Sequence, residues 1–388
     1  MPGATPASRP RCQLRLLVAW SFAWAIAWAV TWAVTWAAAA AGPTANGAPA
    51  AAVTQAAPGV FVHIGALEDW GPANGGDVAN TGFVVGSRCV AVIDTGGTPA
   101  VGQALRAAIE QATPLPVCYV INTHAHPDHL LGNVAFANAN ANANANANAN
   151  ASASASASAS ANANANASLN PNSAAPQFIA SARFNRTLAA REPYYRNALQ
   201  RDFGIALEHA AIIYPTRVVD SAIDIDLGDR VLTLQAWPTA HTDNDLSVYD
   251  QRTRTLFASD LLFVQHLPVL DGSLRGWVSA MAVLKRLAVA TVVPGHGPVS
   301  HDWPAAMDAQ GDYLTGLLRD TRAALRDRLT IAQAIDRIGV APSSTGSKKP
   351  ATSWLLTDRF HRRNVTAAYA ELEWEDDEPV PATEAPRP

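Results

Sequence analysis

The sequence predicts an α/β protein built on an open sheet, and three observations carry that prediction. Short apolar runs bounded by Gly, Asp or Ser alternate with longer segments whose apolar residues recur at helical spacing. Strand, helix and strand follow one another from Cys89 to Asn122, the order expected when helices are laid on a sheet. The chemically versatile residues come at the ends of apolar runs, where ligands gather in open α/β sheets.

Ordered structure is expected from about Gly59. Val60–Ile64 alternates weakly, and Gly82–Gly86 and Cys89–Ile93 read as a hairpin turning at Ser87-Arg88. Thr98–Gln111 is a helix with Val101, Leu105, Ala108 and Ile109 on one side, and strand 117–122 follows. Pro127-Asp128 suits a helix start. Further on come a strand at Gln177–Ala180 and a helix over Ser181–Phe203. Strands follow at Val218–Asp224 and Arg230–Trp237, then a hairpin of Leu246–Tyr249 and Thr255–Ala258. A helix over Ala280–Ala288 and a strand at Thr291–Pro294 close this part. Trp303–Ile338 and Trp354–Trp374 are helical in pattern.

The ends and one internal tract differ in kind. Residues 1–41 carry Arg9, Arg11 and Arg15 ahead of an apolar run and small residues at Ala39–Ala41, as in a signal peptide or, uncleaved, a signal anchor. Trp20, Trp24, Trp28, Trp32 and Trp36 recur every fourth residue, a pattern of simple-sequence expansion rather than a packing face. Residues 42–58 read as a linker. Residues 137–176 are an Ala/Asn/Ser tract that buries too little apolar area to offset chain ordering, hence an insertion in a surface loop. This leaves a main domain at 59–300, a helical extension at 301–374 with a Ser/Lys linker near 341–350, and an acidic, Pro-rich tail at 375–388. The net charge of −4 and the lack of a basic patch exclude nucleic acid as an expected partner. Cys89 and Cys118 lie on neighbouring strand-like runs and are read as two buried thiols, with pairing as the alternative for an exported chain.

The chemistry concentrates at Thr123-His124-Ala125-His126-Pro127-Asp128-His129. His124 and His126 are two apart at a strand end, so both side chains leave on one side. Imidazoles and a carboxylate gathered so closely suit zinc, with iron or manganese as alternatives. His241, Asp260 and His296 each follow another predicted strand. His63, His209, His266, His301 and His361 lack a ligand partner in sequence and read as surface or packing residues.

These pieces, with Asp94-Thr95-Gly96, Ala258-Ser259-Asp260 and Pro294-Gly295-His296-Gly297, resemble the metallo-β-lactamase fold superfamily over residues 59–300. The resemblance implies a four-layer αββα sandwich holding two zinc ions. His124, His126 and His241 would hold one ion, Asp128, His129 and His296 the second, with Asp260 bridging. It further implies a metal-activated hydroxide attacking an ester, thioester, lactone or amide carbonyl of a small molecule, with Asp128 moving the proton. Asp94 would accept a hydrogen bond from a ligand His. Asp260 stands where one lactamase subclass carries a metal-binding Cys, as in glyoxalase II-like hydrolases, so antibiotic hydrolysis is not implied.

Asn122-Thr123-His124, His241–Leu246, Leu270–Trp277 and Arg363–Trp374 narrow the likeness to exported zinc metallohydrolases of the quinoprotein relay system, similar to SoxH-like proteins. That implies a periplasmic or secreted protein beside a quinoprotein dehydrogenase, touching membrane only if the N-terminal segment stays uncleaved. It also makes His266 and Asp271 candidates for a substrate-lining loop. The rival readings are a sulfur dioxygenase with a single iron on the same fold and a non-catalytic maturation factor. Flavodiiron proteins carry Glu where His126 stands and are disfavoured.

Overall fold

Alternating inward apolar residues on short strands need two layers to bury them, and this chain supplies two sheets. The structure, a computed structural model, describes residues 50–137, 175–206, 211–339 and 353–375. The signal or anchor segment, nearly all of the Ala/Asn/Ser tract, His209, the 341–350 linker and the acidic tail beyond Glu375 lie outside the described residues. Among the described residues no helix is long and apolar enough to cross a membrane.

The first sheet has seven strands in sequence order: β1 (Thr54–Ala57), β2 (Val60–His63), β3 (Thr81–Val85), β4 (Val90–Ile93), β5 (Val117–Ile121), β6 (Gln177–Ser181) and β7 (Arg217–Val219). It runs antiparallel to β4 and parallel from β4 to β7. The second sheet has five strands in the order β12-β11-β10-β9-β8, from β8 (Ala222–Asp226), β9 (Val231–Ala236), β10 (Leu246–Asp250), β11 (Thr255–Phe263) and β12 (Thr291–His296).

Val60, Val84, Ile93 and Ile121 from the first sheet meet Leu234, Val248, Phe257 and Val293 from the second in the central core. Helix α1 (Pro99–Ala112), started by Pro99 and capped by the Thr98 side chain, lays Leu105 and Ile109 on the outer face of the first sheet. The short α2 (Pro127–Leu130) and α3 (Phe184–Phe203) form a neighbouring cluster through Leu130, Phe184 and Leu188. Helices α4 (Leu274–Leu284), α5 (Asp308–Arg326), α6 (Ile331–Arg337) and α7 (Thr357–Leu372) share one core with β11 and β12 of the second sheet. The result is the expected αββα sandwich. Trp277, fully buried at the centre of that last cluster, contributes about 1.5–3 kcal/mol by burial alone.

Several boundaries move. A strand, β1, lies inside the expected linker because it finds a partner in β2. The run read as one strand at 218–224 is two strands: the bend at Asp220-Ser221 sends β7 to the first sheet and β8 to the second. β11 does not stop at Ala258 but runs through Asp260 to Phe263. The helix expected at 280–288 begins at Leu274, because Ser273 caps it by accepting from Gly276 N–H. The helical pattern at 303–338 is broken between α5 and α6, where Arg328 takes a left-handed φ of 56°. Cys89 and Cys118 are not free thiols. They form a disulfide across β4 and β5, with Cα atoms 5.7 Å apart. The pairing was not legible because it depends on register, which sequence does not supply.

Candidate metal centre

All seven expected ligands meet at one end of the sandwich. His124 and His126 follow β5, with Asp128 and His129 on α2. His241 lies on the β9–β10 loop, Asp260 within β11, and His296 closes β12. Asp260 is placed by an irregularity: Ser259 takes a φ of 47°, and the β11–β12 register shifts on both sides of it. Such bulges re-aim a side chain. Gly295 is required beside it, since a Cβ there would collide with Asp260 Oδ1.

The side chains form two groups. His124, His126, His241 and Asp260 make one; Asp128, His129 and His296 make the other, with ligand atoms in each within 4.8 Å of one another. Asp260 faces both. Its Oδ2 is 3.6 Å from His124 Nε2 and 3.2 Å from His241 Nε2. Its Oδ1 is 3.2 Å from His129 Nε2 and 3.5 Å from His296 Nε2.

Every imidazole is oriented from behind. His129 Nδ1 donates to Asp94 Oδ2 at 2.9 Å, His241 Nδ1 to the Val269 carbonyl at 2.6 Å, and His296 Nδ1 to the Val78 carbonyl at 2.9 Å. Thr123 Oγ1 donates to Asp94 at 2.7 Å, so it accepts from His124 Nδ1 at 3.1 Å. His126 is reversed: Nε2 donates outward to Asp271 at 2.9 Å, and Nδ1 faces His124 and His241 at 3.0 and 3.1 Å. Carboxylates and carbonyls only accept, so each of these partners fixes a tautomer that leaves the inward nitrogen's lone pair free.

The donor set fits a divalent cation. His129 Nε2 and Asp260 Oδ1 are buried without a hydrogen-bond partner, a costly state that a shared cation relieves. The carboxylates of the cluster favour positive charge among the imidazoles. Burial opposes a charge on Asp260, but His129 and His296 hold it well below the usual carboxylate range. Burial also opposes a proton on His129, yet Asp260, Asp128 and Asp94 raise it well above the ordinary imidazole value. Burial, then His129, pushes His124 well below its ordinary value. Imidazole and carboxylate suit zinc, iron or manganese.

Asp94 lies at the end of β4 with a φ of 54°, and it also accepts from Thr123 N–H at 2.8 Å. His266 is buried beside the ring of His296, at 4.9 Å between centroids, and burial lowers its pKa to about 4. It lines a cleft of about 500 Å³ above the ligands, with Trp70, Tyr194, Phe360 and Arg363. Asp271 also lines the cleft, but its carboxylate is engaged by His126 and by Arg191 at 2.5 Å. His63, expected to lack a partner, hydrogen-bonds Asp77 at 2.8 Å and lies outside the cluster. His361 packs against Tyr313, as expected of a structural residue.

Sequence reasoning missed Val78 and Asn80. Asn80 Nδ2 donates to the carbonyls of Pro294 and Gly297 and holds the His296 turn in place. A backbone acceptor such as Val78 leaves no residue-type signal, and a lone Asn in a loop leaves a weak one.

Among known proteins, the chain is similar over 107 residues, at 27% identity, to a beta-lactamase-like protein 2 homolog of Caenorhabditis elegans; this covers 28% of the chain and 33% of that protein. The sec-alkylsulfatase Pisa1 from Pseudomonas sp. is similar in structure, with a TM-score of 0.59 at 14% identity, covering 87% of this chain and 52% of that one. A metallo-beta-lactamase from Pontibacter korlensis aligns with a TM-score of 0.47 at 18% identity, over 68% of this chain and 98% of that one. The chain thus spans a third of the first relative and about half of the second, and the likeness to the alkylsulfatase is one of fold. A model of the metallo-beta-lactamase superfamily matches residues 74–296, more than half of the chain and every candidate ligand position above, and the chain belongs to that superfamily.

Proposed function

We propose that the protein is an exported hydrolase with two zinc ions, acting on an ester, thioester, lactone or amide carbonyl. His124, His126 and His241 would hold one ion and Asp128, His129 and His296 the other. The observation that carries the reading is Asp260, which turns one carboxylate oxygen to each group of imidazoles. Bound zinc supplies Lewis acidity and, by lowering the pKa of water from about 15.7 towards 7, a hydroxide at neutral pH. The chain's own residues do the rest. Asp260 and the five oriented imidazoles fix where the nucleophile arises. Asp128 sits at the cleft side, 3.4 Å from His296 Nε2, where its carboxylate takes the nucleophile's proton and returns it to the leaving group. Trp70, Tyr194 and Phe360 form apolar walls for a small organic substrate.

Export is supported by the N-terminal pattern of Arg and apolar residues and by the Cys89–Cys118 disulfide, which is favoured in oxidising compartments. The resemblance to quinoprotein relay hydrolases supports a periplasmic setting beside a quinoprotein dehydrogenase. The deciding experiment is elemental analysis of the purified protein beside His296→Ala. Two zinc per chain, falling towards one in the variant, is expected, and would justify a screen of lactones, thioesters, β-lactams and alkyl sulfates. One iron per chain, unchanged in the variant, would replace this reading with an iron dioxygenase.

A further inference from the structure

The loop Val269–Ser273 touches two ligands of the first group at once. The Val269 carbonyl accepts from His241 Nδ1 at 2.6 Å, and Asp271 N–H donates to the His241 carbonyl at 3.0 Å. The same Asp271 turns its carboxylate to His126 Nε2 at 2.9 Å. Gly272 lies so close to the His241 segment that a Cβ there would stand 2.5 Å from the Ala240 carbonyl. Loop and segment are therefore packed directly against each other.

The loop is tied down on two further sides. Arg191 from α3 donates to Asp271 Oδ2 at 2.5 Å. From α7, Asn364 donates to the Pro268 carbonyl at 2.6 Å and accepts from Leu270 N–H at 3.0 Å. Glu371, also on α7, accepts from Ser273 Oγ at 2.7 Å and Leu274 N–H at 2.6 Å. Arg191, Asn364 and Glu371 thus reach the loop from elements outside the ligand-bearing turns.

His126 is the ligand that most needs such a hold. Its side chain is 16% exposed, against 2% for His124 and none for His241. It is also the only one of the five imidazoles that points Nδ1 inward. An imidazole free to flip would turn the wrong nitrogen to the ion. Asp271, accepting from Nε2–H, sets both ring orientation and tautomer.

We propose that Asp271 is a positioning residue that holds His126 for metal binding at the His124–His126–His241 group, with Arg191 as its tether. His126 Nε2 and Arg191 both donate to Oδ2 of Asp271, so the oxygen that holds His126 is itself held in place. The inference rests on the metal-dependent reading above.

The test is a zinc competition titration against a chromophoric chelator, with the cobalt(II) spectrum as a second readout, on the wild type, Asp271→Ala, Asp271→Asn and Arg191→Met. In Asp271→Ala one of two sites should weaken about 10–100-fold while the other keeps its affinity. Its cobalt band should lose intensity, and kcat should fall with little change in KM. Asp271→Asn retains an acceptor for His126, and Arg191→Met retains the carboxylate. Both should show a smaller loss at the same site, and they keep the test decisive if the alanine variant does not fold. Unchanged zinc affinity in all three variants, with KM raised tenfold or more, would overturn the positioning role and make Asp271 a substrate contact. A wild type that takes up no zinc would sink the proposed function and this inference together; two zinc sites indifferent to Asp271 would sink this inference alone.

Discussion

The two groups of candidate metal ligands are built to different standards of enclosure. In the Asp128–His129–His296 group, His129 is fully buried and backed by Asp94, itself 1% exposed, while His296 is backed by a buried carbonyl. In the His124–His126–His241 group, His126 is backed by Asp271, whose side chain is 33% exposed and shared with Arg191. A buried carboxylate cannot trade its partner for water, whereas a cleft-side one can. The outer hydrogen bond of the first kind is therefore part of the fold, and that of the second kind is part of the site.

Removing Asp94 should show the largest effect. Asp94→Ala leaves His129 Nδ1 and the Thr123 N–H and hydroxyl without their acceptor, all of them buried. Breaking a buried charged network from one side costs about 3–5 kcal/mol. Urea unfolding of the metal-free protein should register this loss before any ion is added. A loss under about 1 kcal/mol would mean that Asp94 and Asp271 are equivalent props, and the contrast in burial would lose its meaning.

Asp128→Asn sharpens the comparison from inside the second group. Asp128 is its most exposed member, at 13% of the side chain, against 6% for His296 and none for His129. If those two imidazoles and Asp260 carry binding and Asp128 carries proton transfer, zinc content should stay near two per chain. Turnover should then fall by about 10²–10⁴-fold. Steady-state kinetics paired with metal analysis checks this, and full turnover in the variant would remove Asp128 from the proton path.

The sequence displayed the ligands more clearly than their supports. His124, His126, Asp128 and His129 crowd into six residues, and their chemistry is visible without any fold. His241, Asp260 and His296 needed the rule that strand ends converge, and it served for His241 and His296. Asp260 obeyed it for a different reason, since it lies inside β11 and reaches the site through a local bulge. Supports made of backbone, such as the Val78 and Val269 carbonyls, have no residue-type signature at all. Asp271 was visible as a polar loop residue, but its role depends on an Arg 80 positions earlier in the chain. The β7–β8 break was hidden because the two strands are separated by two residues, and only their partners tell them apart.

The C-terminal helix carries the smallest predicted effect and the most remote one. Glu371 meets the start of α4, where its carboxylate accepts from Ser273 Oγ and from the N–H groups of Leu274 and Arg275. Two of these donors are unsatisfied helix N-terminal amides, for which a negative charge is a better partner than a neutral amide. Glu371→Gln keeps the shape and one acceptor but removes the charge, at a cost of about 1 kcal/mol. Thermal unfolding should shift down by about 2–4 °C. The site should respond asymmetrically: zinc at the His124–His126–His241 group, which depends on the 269–273 loop, should weaken a few-fold, and zinc at the buried group should not change. Equal weakening of both would mean that α7 stabilises the domain at large, and the two groups would then differ in exposure alone, with no separate mechanical support.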